Sequence, residues 1–122
     1  ILVEADARLI VQVLVNLVDN AVKYTPKGSE ILIETRQEGT NAVVSVSDNG
    51  SGISDEVKEY IFEMFYTGNS HAADSRRSLG LGLALCKSIL HAHGGDIFVE
   101  DCQPHGARFT FTLPAKEVQL HE

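Results

Sequence analysis

No apolar run in this sequence is long enough to span a membrane, and no basic segment followed by an apolar one opens it. Neither a membrane span nor a secretory leader is therefore expected within these 122 residues. Basic residues are also short: 10 Lys and Arg stand against 17 Asp and Glu, for a net charge of −7 and a pI of about 5.1. That balance argues against bulk attraction to nucleic acid or to an anionic membrane surface. An anionic ligand must then be held by local devices. Cysteine is scarce, with only Cys86 and Cys102, and their separation is not a metal-ligand spacing. Two reduced thiols of a cytosolic protein are expected.

What is present is enough for one compact domain over residues 1–122, since 43% of the chain is hydrophobic. Residues 1–4 read as a short strand. Asp6 offers an N-cap, and Leu9, Ile10, Val13, Leu14, Leu17, Val18 and Ala21 follow at helical spacing, predicting an amphipathic helix over 7–23. Pro26 and Gly28 stop it. Residues 30–37 and 42–48 read as strands around the turn "EGTN". Ser54 caps a helix to about Met64. "YTGNSHAADSRRS", residues 66–78, is polar and aperiodic, a loop of functional length. A second long helix begins around Leu79–Gly82 and ends at "HGG". Strands at 96–101 and 107–113 close the chain, with a frayed tail after Pro114. The order β-α-β-β-α-α-β-β predicts an α+β two-layer sandwich: a mixed sheet of about five strands covered on one face by three helices.

Three devices carry chemistry. The first is "SVSDNGSGIS", residues 45–54. Val44, Val46 and Asp48 share one strand face, so the valines carry a carboxylate to the edge of the helix-covered layer. A carboxylate there needs a hydrogen-bond donor, either a backbone N–H or the amino group of a ligand. Gly50 and Gly52 permit close approach to that ligand. The second is Asn16, Asn20 and Lys23 at i, i+4 and i+7 of the first helix, beside its apolar stripe. They are either a solvated face or two converging amide oxygens for a hydrated Mg²⁺ with a lysine for phosphate. The third is "SLGLGLALCKS", where Gly80 and Gly82 precede a helix whose free N–H groups favour an anion. It is neither the dinucleotide fingerprint nor a Walker loop. Arg76 and Arg77 before it are either a solvated pair or a clamp on a terminal phosphate.

Taken in chain order, the Asn–Asn–Lys helix, the strand-end acid with its glycines, the polar loop and the Gly-rich helix start resemble the catalytic, ATP-binding domain of bacterial two-component sensor histidine kinases, in the GHKL (Bergerat-fold) superfamily. "NLVDNAVKYTP" is similar to the family's N box, "DNGSGI" to its G1 box, "IFEMFYTG" to its F box and "GLGLALCKSILHAHGG" to its G2 box. The match runs from about Asp6 to Leu113. The stretch "NSHAADSRRSLGLGLALCKSI" also resembles KdpD-type kinases. The resemblance implies ATP and Mg²⁺ as cofactors. It makes Asn16, Asn20 and Lys23 the catalytic set, with Asn20 the metal ligand, and puts Tyr24 near the adenine. Asp48 would accept from the adenine amino group, with Gly50, Gly52 and Ile53 lining the base. Phe62 and Phe65 would anchor an ATP lid over 66–79, and Arg76, Arg77, Gly80, Leu81 and Gly82 would reach the phosphates.

The resemblance further implies partners: a phosphoacceptor-histidine helical domain of the same protein, and a response regulator. It implies a homodimeric parent in the cell membrane with this domain cytoplasmic, touching neither nucleic acid nor the bilayer. Two departures stand out. Ser78 and Leu79 replace the usual leading pair of the G2 box. None of His71, His91, His93, His105 and His121 lies in a phosphoacceptor context, and His91 and His93 read as solvated residues near a helix end. The rival readings are an anti-sigma-type serine kinase, an ATP-gated module like the chaperone and mismatch-repair ATPases, and a degenerate nucleotide-binding module without phosphotransfer.

Overall fold

A computed structural model describes residues 2–58, 60–63 and 74–116, apart from the side chains of 2, 23, 24 and 74–81. Helix α1, Ala7–Tyr24, begins where Asp6 Oδ1 accepts from the N–H groups of Arg8 (3.0 Å) and Leu9 (3.4 Å), two of the donors a helix start leaves free. Its inward stripe, Val13, Leu17 and Ala21, is buried. Helix α3, Asp74–Ala92, packs against it and buries Leu83, Cys86, Ile89 and Leu90 in the same core. α3 ends in a Schellman motif: Gly95 N–H reaches Leu90 C=O at 2.8 Å, and Gly94 N–H reaches His91 C=O at 3.1 Å. Gly94 takes the left-handed φ of 79° that this motif requires.

The strands are β1 (Leu2–Val3), β2 (Ile31–Glu38), β3 (Asn41–Asp48), β4 (Asp96–Asp101) and β5 (Ala107–Lys116). The sheet order is β1-β5-β3-β2, and β4 also pairs with β5. Every described pairing is antiparallel, where a mixed sheet was expected. The helical crossovers leave β3 and β4 pointing the same way. β5 sits between them, pairing Val46 with Phe109 on one edge and Val99 with Phe109 on the other, so no parallel neighbours meet. The helix-facing surface carries Val46, Ile97, Phe109, Phe111 and Leu113 into the core. The opposite surface is mixed: Ser45 and Thr110 hydroxyls lie 3.1 Å apart on it, and Leu32 and Phe98 are exposed there.

Three boundaries differ from the sequence reading. β5 continues past Pro114 because Ala115 and Lys116 pair with Val3 and Leu2, so that part of the tail is not frayed. The helix after Ser54, α2, is only Asp55–Lys58. Turns follow it, and they let the adjacent residues Ile61 and Phe62 both reach the core. α3 begins at Asp74, well before the expected Leu79–Gly82 start. Arg, Ser and Leu are compatible with helix even where an apolar period is missing.

Candidate functional site

The three sequence devices meet around α1. Near its middle, Asn16 faces α3: its Nδ2 donates to Gly82 C=O at 3.4 Å and approaches Cys86 Sγ at 3.6 Å, while its Oδ1 accepts from Gln12 Nε2 at 3.2 Å. At its C-terminal end, Thr25 donates its hydroxyl to Ala21 C=O at 2.6 Å and packs over the chain at Gly50. A Cβ at Gly50 would stand 2.9 Å from the Thr25 methyl, so glycine is required there by close packing. One helix thus spans from the glycine of α3 to the glycine loop after β3. Asn20 lies between these two contacts.

Asn20 was expected beside the apolar stripe; it is in fact buried, with 8% exposure. Its side-chain amide has no hydrogen-bond partner among the described residues, yet no described buried polar atom is left both unpartnered and fully enclosed. The amide therefore faces a remaining opening. A buried amide costs free energy without a partner, so an incoming oxygen-seeking ligand suits it.

Asp48 closes β3, opposite Ile31 of β2. Its Oδ1 accepts from Gly50 N–H at 2.9 Å and from Ala107 N–H at 3.3 Å. Among the described residues Oδ2 has no partner. Of the two donors expected from the sequence, backbone N–H groups hold Oδ1.

The loop after Asp48 is fixed from two sides. Asn49 Oδ1 accepts from Glu30 N–H at 2.8 Å, and Gly50 C=O accepts from His105 Nδ1 at 3.0 Å. The β4–β5 turn presses directly on Asp48: a Cβ at Gly106, whose φ is 117°, would lie 2.0 Å from the Asp48 carbonyl oxygen. His105 and Gly106 were missed as site residues. Their only sequence signal is a turn glycine after "CQPH", and nothing local says which loop that turn touches. Ile53 packs on the core edge. Phe62 meets Phe109 edge-on, with centroids 6.0 Å apart, and Lys87 Nζ lies 5.9 Å from the Phe62 ring centre. α2 is tied down by Lys58, whose ammonium bonds Asp101 (2.7 Å) and Asp55 (3.0 Å); these carboxylates raise its pKa.

Some expectations are corrected or fall elsewhere. Gly80 and Gly82 do not precede a helix start. They lie inside α3, where a regular helix commits each N–H to the carbonyl four residues earlier. Arg76, Arg77, Ser78 and Leu79 likewise belong to the first turns of α3 and not to a loop. Lys23 and Tyr24 occupy the last turn of α1. The side chains of Lys23, Tyr24, Arg76, Arg77 and Leu81, and all of Phe65 and His71, lie outside the described residues. His93 is not a solvated residue: its Nε2 accepts from Asp6 N–H at 3.2 Å and its Nδ1 faces Ile89 C=O at 2.8 Å. His91 pairs with Asp96 at 2.9 Å. Cys86 and Cys102 are free, and burial pushes the Cys86 thiol up. Among the described residues no helix is long and apolar enough to cross a membrane.

Comparison with known proteins points one way. Residues 5–117 match the family model described as histidine kinase-, DNA gyrase B-, and HSP90-like ATPase. The sensor protein KdpD of Clostridium acetobutylicum is 46% identical over 93% of this chain, which spans 13% of that protein. The nucleotide-free catalytic domain of the histidine kinase ThkA superposes with a TM-score of 0.78 at 39% identity, covering 92% of this chain and 70% of that one. ThkA in complex with the response regulator protein TrrA superposes with a TM-score of 0.76 at 37% identity, over 93% of this chain and 30% of that one.

Proposed function

The chain belongs to the family of histidine kinase-, DNA gyrase B- and HSP90-like ATPases, and on that premise we propose that it is the ATP-binding part of a protein-histidine kinase. It binds Mg·ATP and presents the γ-phosphate to a histidine on a separate helical dimerisation domain of the same protein, for onward transfer to a response regulator. The observation that carries this reading is Asp48, with one carboxylate oxygen tied by two backbone N–H groups and the other without a partner among the described residues. An open acceptor at a rigid strand end selects a donor such as the adenine amino group.

In this mechanism no side chain of the chain is a nucleophile. An imidazole nitrogen of the acceptor histidine attacks the γ-phosphorus, the bond from that phosphorus to the β–γ bridging oxygen breaks, and ADP leaves. The domain contributes positioning and charge neutralisation. Asp48 would orient the base, with Ile53 lining it and Tyr24, in the last turn of α1, assigned to the adenine by the resemblance. The amide of Asn20, buried and without a partner among the described residues, fits an oxygen ligand for Mg²⁺, which would neutralise phosphate charge. Lys23, in the last turn of α1, and Arg76 and Arg77, in the first turns of α3, would supply positive charge for the phosphates. Asn16 sets the spacing between α1 and α3 at Gly82. Of the 66–79 stretch expected as an ATP lid, 74–79 belong to α3 and 66–73 lie outside the described residues. We place the domain in the cytoplasm, where ATP is available, within a longer, dimeric, membrane-anchored parent.

A second reading, a nucleotide-binding module without phosphotransfer, is favoured by the position of Gly80 and Gly82 inside α3. Mixing the chain with an acceptor-helix domain and γ-labelled ATP separates the two. Labelled histidine supports the kinase. ATP binding without label supports the module, and no ATP binding overturns both.

A further inference from the structure

We infer that His105 is a positioning residue for the nucleotide site, acting through Gly50 on the direction in which the open oxygen of Asp48 points. This rests on the reading of that oxygen as the acceptor for an adenine amino group.

The segment 49–53 has no ladder or helix of its own, so its shape depends on contacts from outside. Gly50 is held at both ends of its peptide links. Its N–H goes to Asp48 Oδ1 at 2.9 Å, and its carbonyl accepts from His105 Nδ1 at 3.0 Å. A carbonyl can only accept, so the proton of the ring sits on Nδ1. The two bonds work as a lever across the Gly50 Cα: the His105 ring fixes the 50–51 peptide, and through the backbone of Gly50 this restrains the 49–50 peptide, whose N–H holds the carboxylate. The neighbours of His105 brace the same point, Gly106 against the Asp48 carbonyl and Ala107 N–H on Asp48 Oδ1. Cys102 N–H closes the turn onto Gly106 C=O at 3.0 Å, so the ring is presented from a fixed base.

Removing the ring leaves the Gly106 and Ala107 contacts in place. The strand end therefore persists, while the Gly50 peptide turns toward water and the carboxylate loses its aim. The loss of one such bond corresponds to a weakening of roughly three- to tenfold.

The test is calorimetry of a non-hydrolysable ATP analogue and its GTP counterpart, with Mg²⁺, on the wild type, His105→Ala and His105→Asn. The Asn side-chain nitrogen stands where Nδ1 does and can donate to the same carbonyl. The expected result is roughly three- to tenfold weaker ATP-analogue binding and a narrowed ATP-over-GTP preference in His105→Ala, with His105→Asn within about twofold of wild type. Nitrogen-15 spectra of the nucleotide-free wild type should show His105 as the Nδ1–H tautomer. Equal binding by His105→Ala, an Asn variant as weak as the Ala variant, or an Nε2–H tautomer overturns the inference alone. A wild type that binds no adenine nucleotide removes the site reading and this inference together.

Discussion

Asp6 and His93, 87 positions apart, are joined by a hydrogen bond of 3.2 Å from the Asp6 N–H to the His93 Nε2. It fastens the start of α1 to the end of α3. Nδ1 of the same ring faces the Ile89 carbonyl at 2.8 Å, so Nδ1 carries the proton and Nε2 is the acceptor. The two helices that frame the site are therefore tied at the end away from it.

His93→Ala leaves the Asp6 N–H without that acceptor and should cost about 1 kcal/mol. The melting temperature should fall by about 4 °C. ATP-analogue affinity should not change, because the tie is remote from Asn20 and Asp48. Thermal melts with parallel calorimetry check both halves, and an affinity loss would place His93 in the site.

Asn20→Ala exchanges a buried amide, unpartnered among the described residues, for the best helix former. Nucleotide-free melting should stay within about 2 °C of wild type, since the propensity gain offsets the small void. Affinity for Mg·ATP should fall roughly tenfold or more, and in EDTA the variant and wild type should bind alike. A collapsed melting temperature, or the same loss in EDTA, would make Asn20 a packing residue.

Asp48→Asn keeps an oxygen for Gly50 and Ala107 and puts an NH₂ where Oδ2 was. The free fold should persist. Donor would then face the donor of adenine, costing about 1–3 kcal/mol in ATP binding, while the carbonyl of guanine would find a partner. The ATP-over-GTP preference should narrow or reverse. An Asn variant with wild-type ATP affinity would remove Asp48 from base recognition.

Asp96 predicts an acid limit. The hydrogen bond from His91, and next that from Ile97 N–H at 2.8 Å, lower its pKa in the folded state. A depressed carboxylate pKa adds stability that is complete above the unfolded value of about 3.9 and is lost as pH falls through the folded value. The effect is thus confined to pH below about 4. In an NMR titration Asp96 should lie below the ordinary carboxylate range, and His91→Ala should move it upward. No movement would assign the shift to Ile97 alone.

The periodicity of Leu9 to Ala21 and the cap at Asp6 made α1 legible within about a residue, and the "HGG" stop was legible in the same way. The strand at 107–113 alternates cleanly and was equally readable, and the short apolar run at 97–99 marked the strand before it. The start of α3 was not, because "DSRRS" carries no apolar period and two glycines follow it, so loop and helix cost nearly the same by local rules. Sheet partners were not legible either. β5 enters between β3 and β4 only through long-range pairing, which no window of sequence encodes. In the site, Asp48 announced itself as a carboxylate on an apolar strand face, and Asn16 and Asn20 as amides beside the apolar stripe of α1; the burial of Asn20 was not legible. His105 and Gly106 did not, because their role comes from a turn folding back onto a loop formed more than fifty residues earlier.

Gly82 offers the last test, because packing and function pull it in opposite directions. It lies inside α3, where glycine costs about 1 kcal/mol relative to alanine. A Cβ there would find its nearest neighbours, the Asn16 amide atoms, at 3.7 Å, an ordinary van der Waals contact. Neither a positive φ nor a close crossing demands glycine, so Gly82→Ala should raise the melting temperature of the nucleotide-free chain by about 4 °C. If the backbone at 82 must come close to phosphate, the added methyl stands in the way. Overpacking of that kind costs about 1–3 kcal/mol, so Mg·ATP-analogue affinity should fall at least about fivefold. A stabler protein that binds less nucleotide would mark Gly82 as kept for the ligand. A stabler protein with unchanged affinity would take the phosphates away from α3 at this point. A less stable one would mean that Asn16, whose Nδ2 donates to Gly82 C=O, cannot accommodate the methyl, and that the α1–α3 contact is tighter than its 3.4 Å bond suggests.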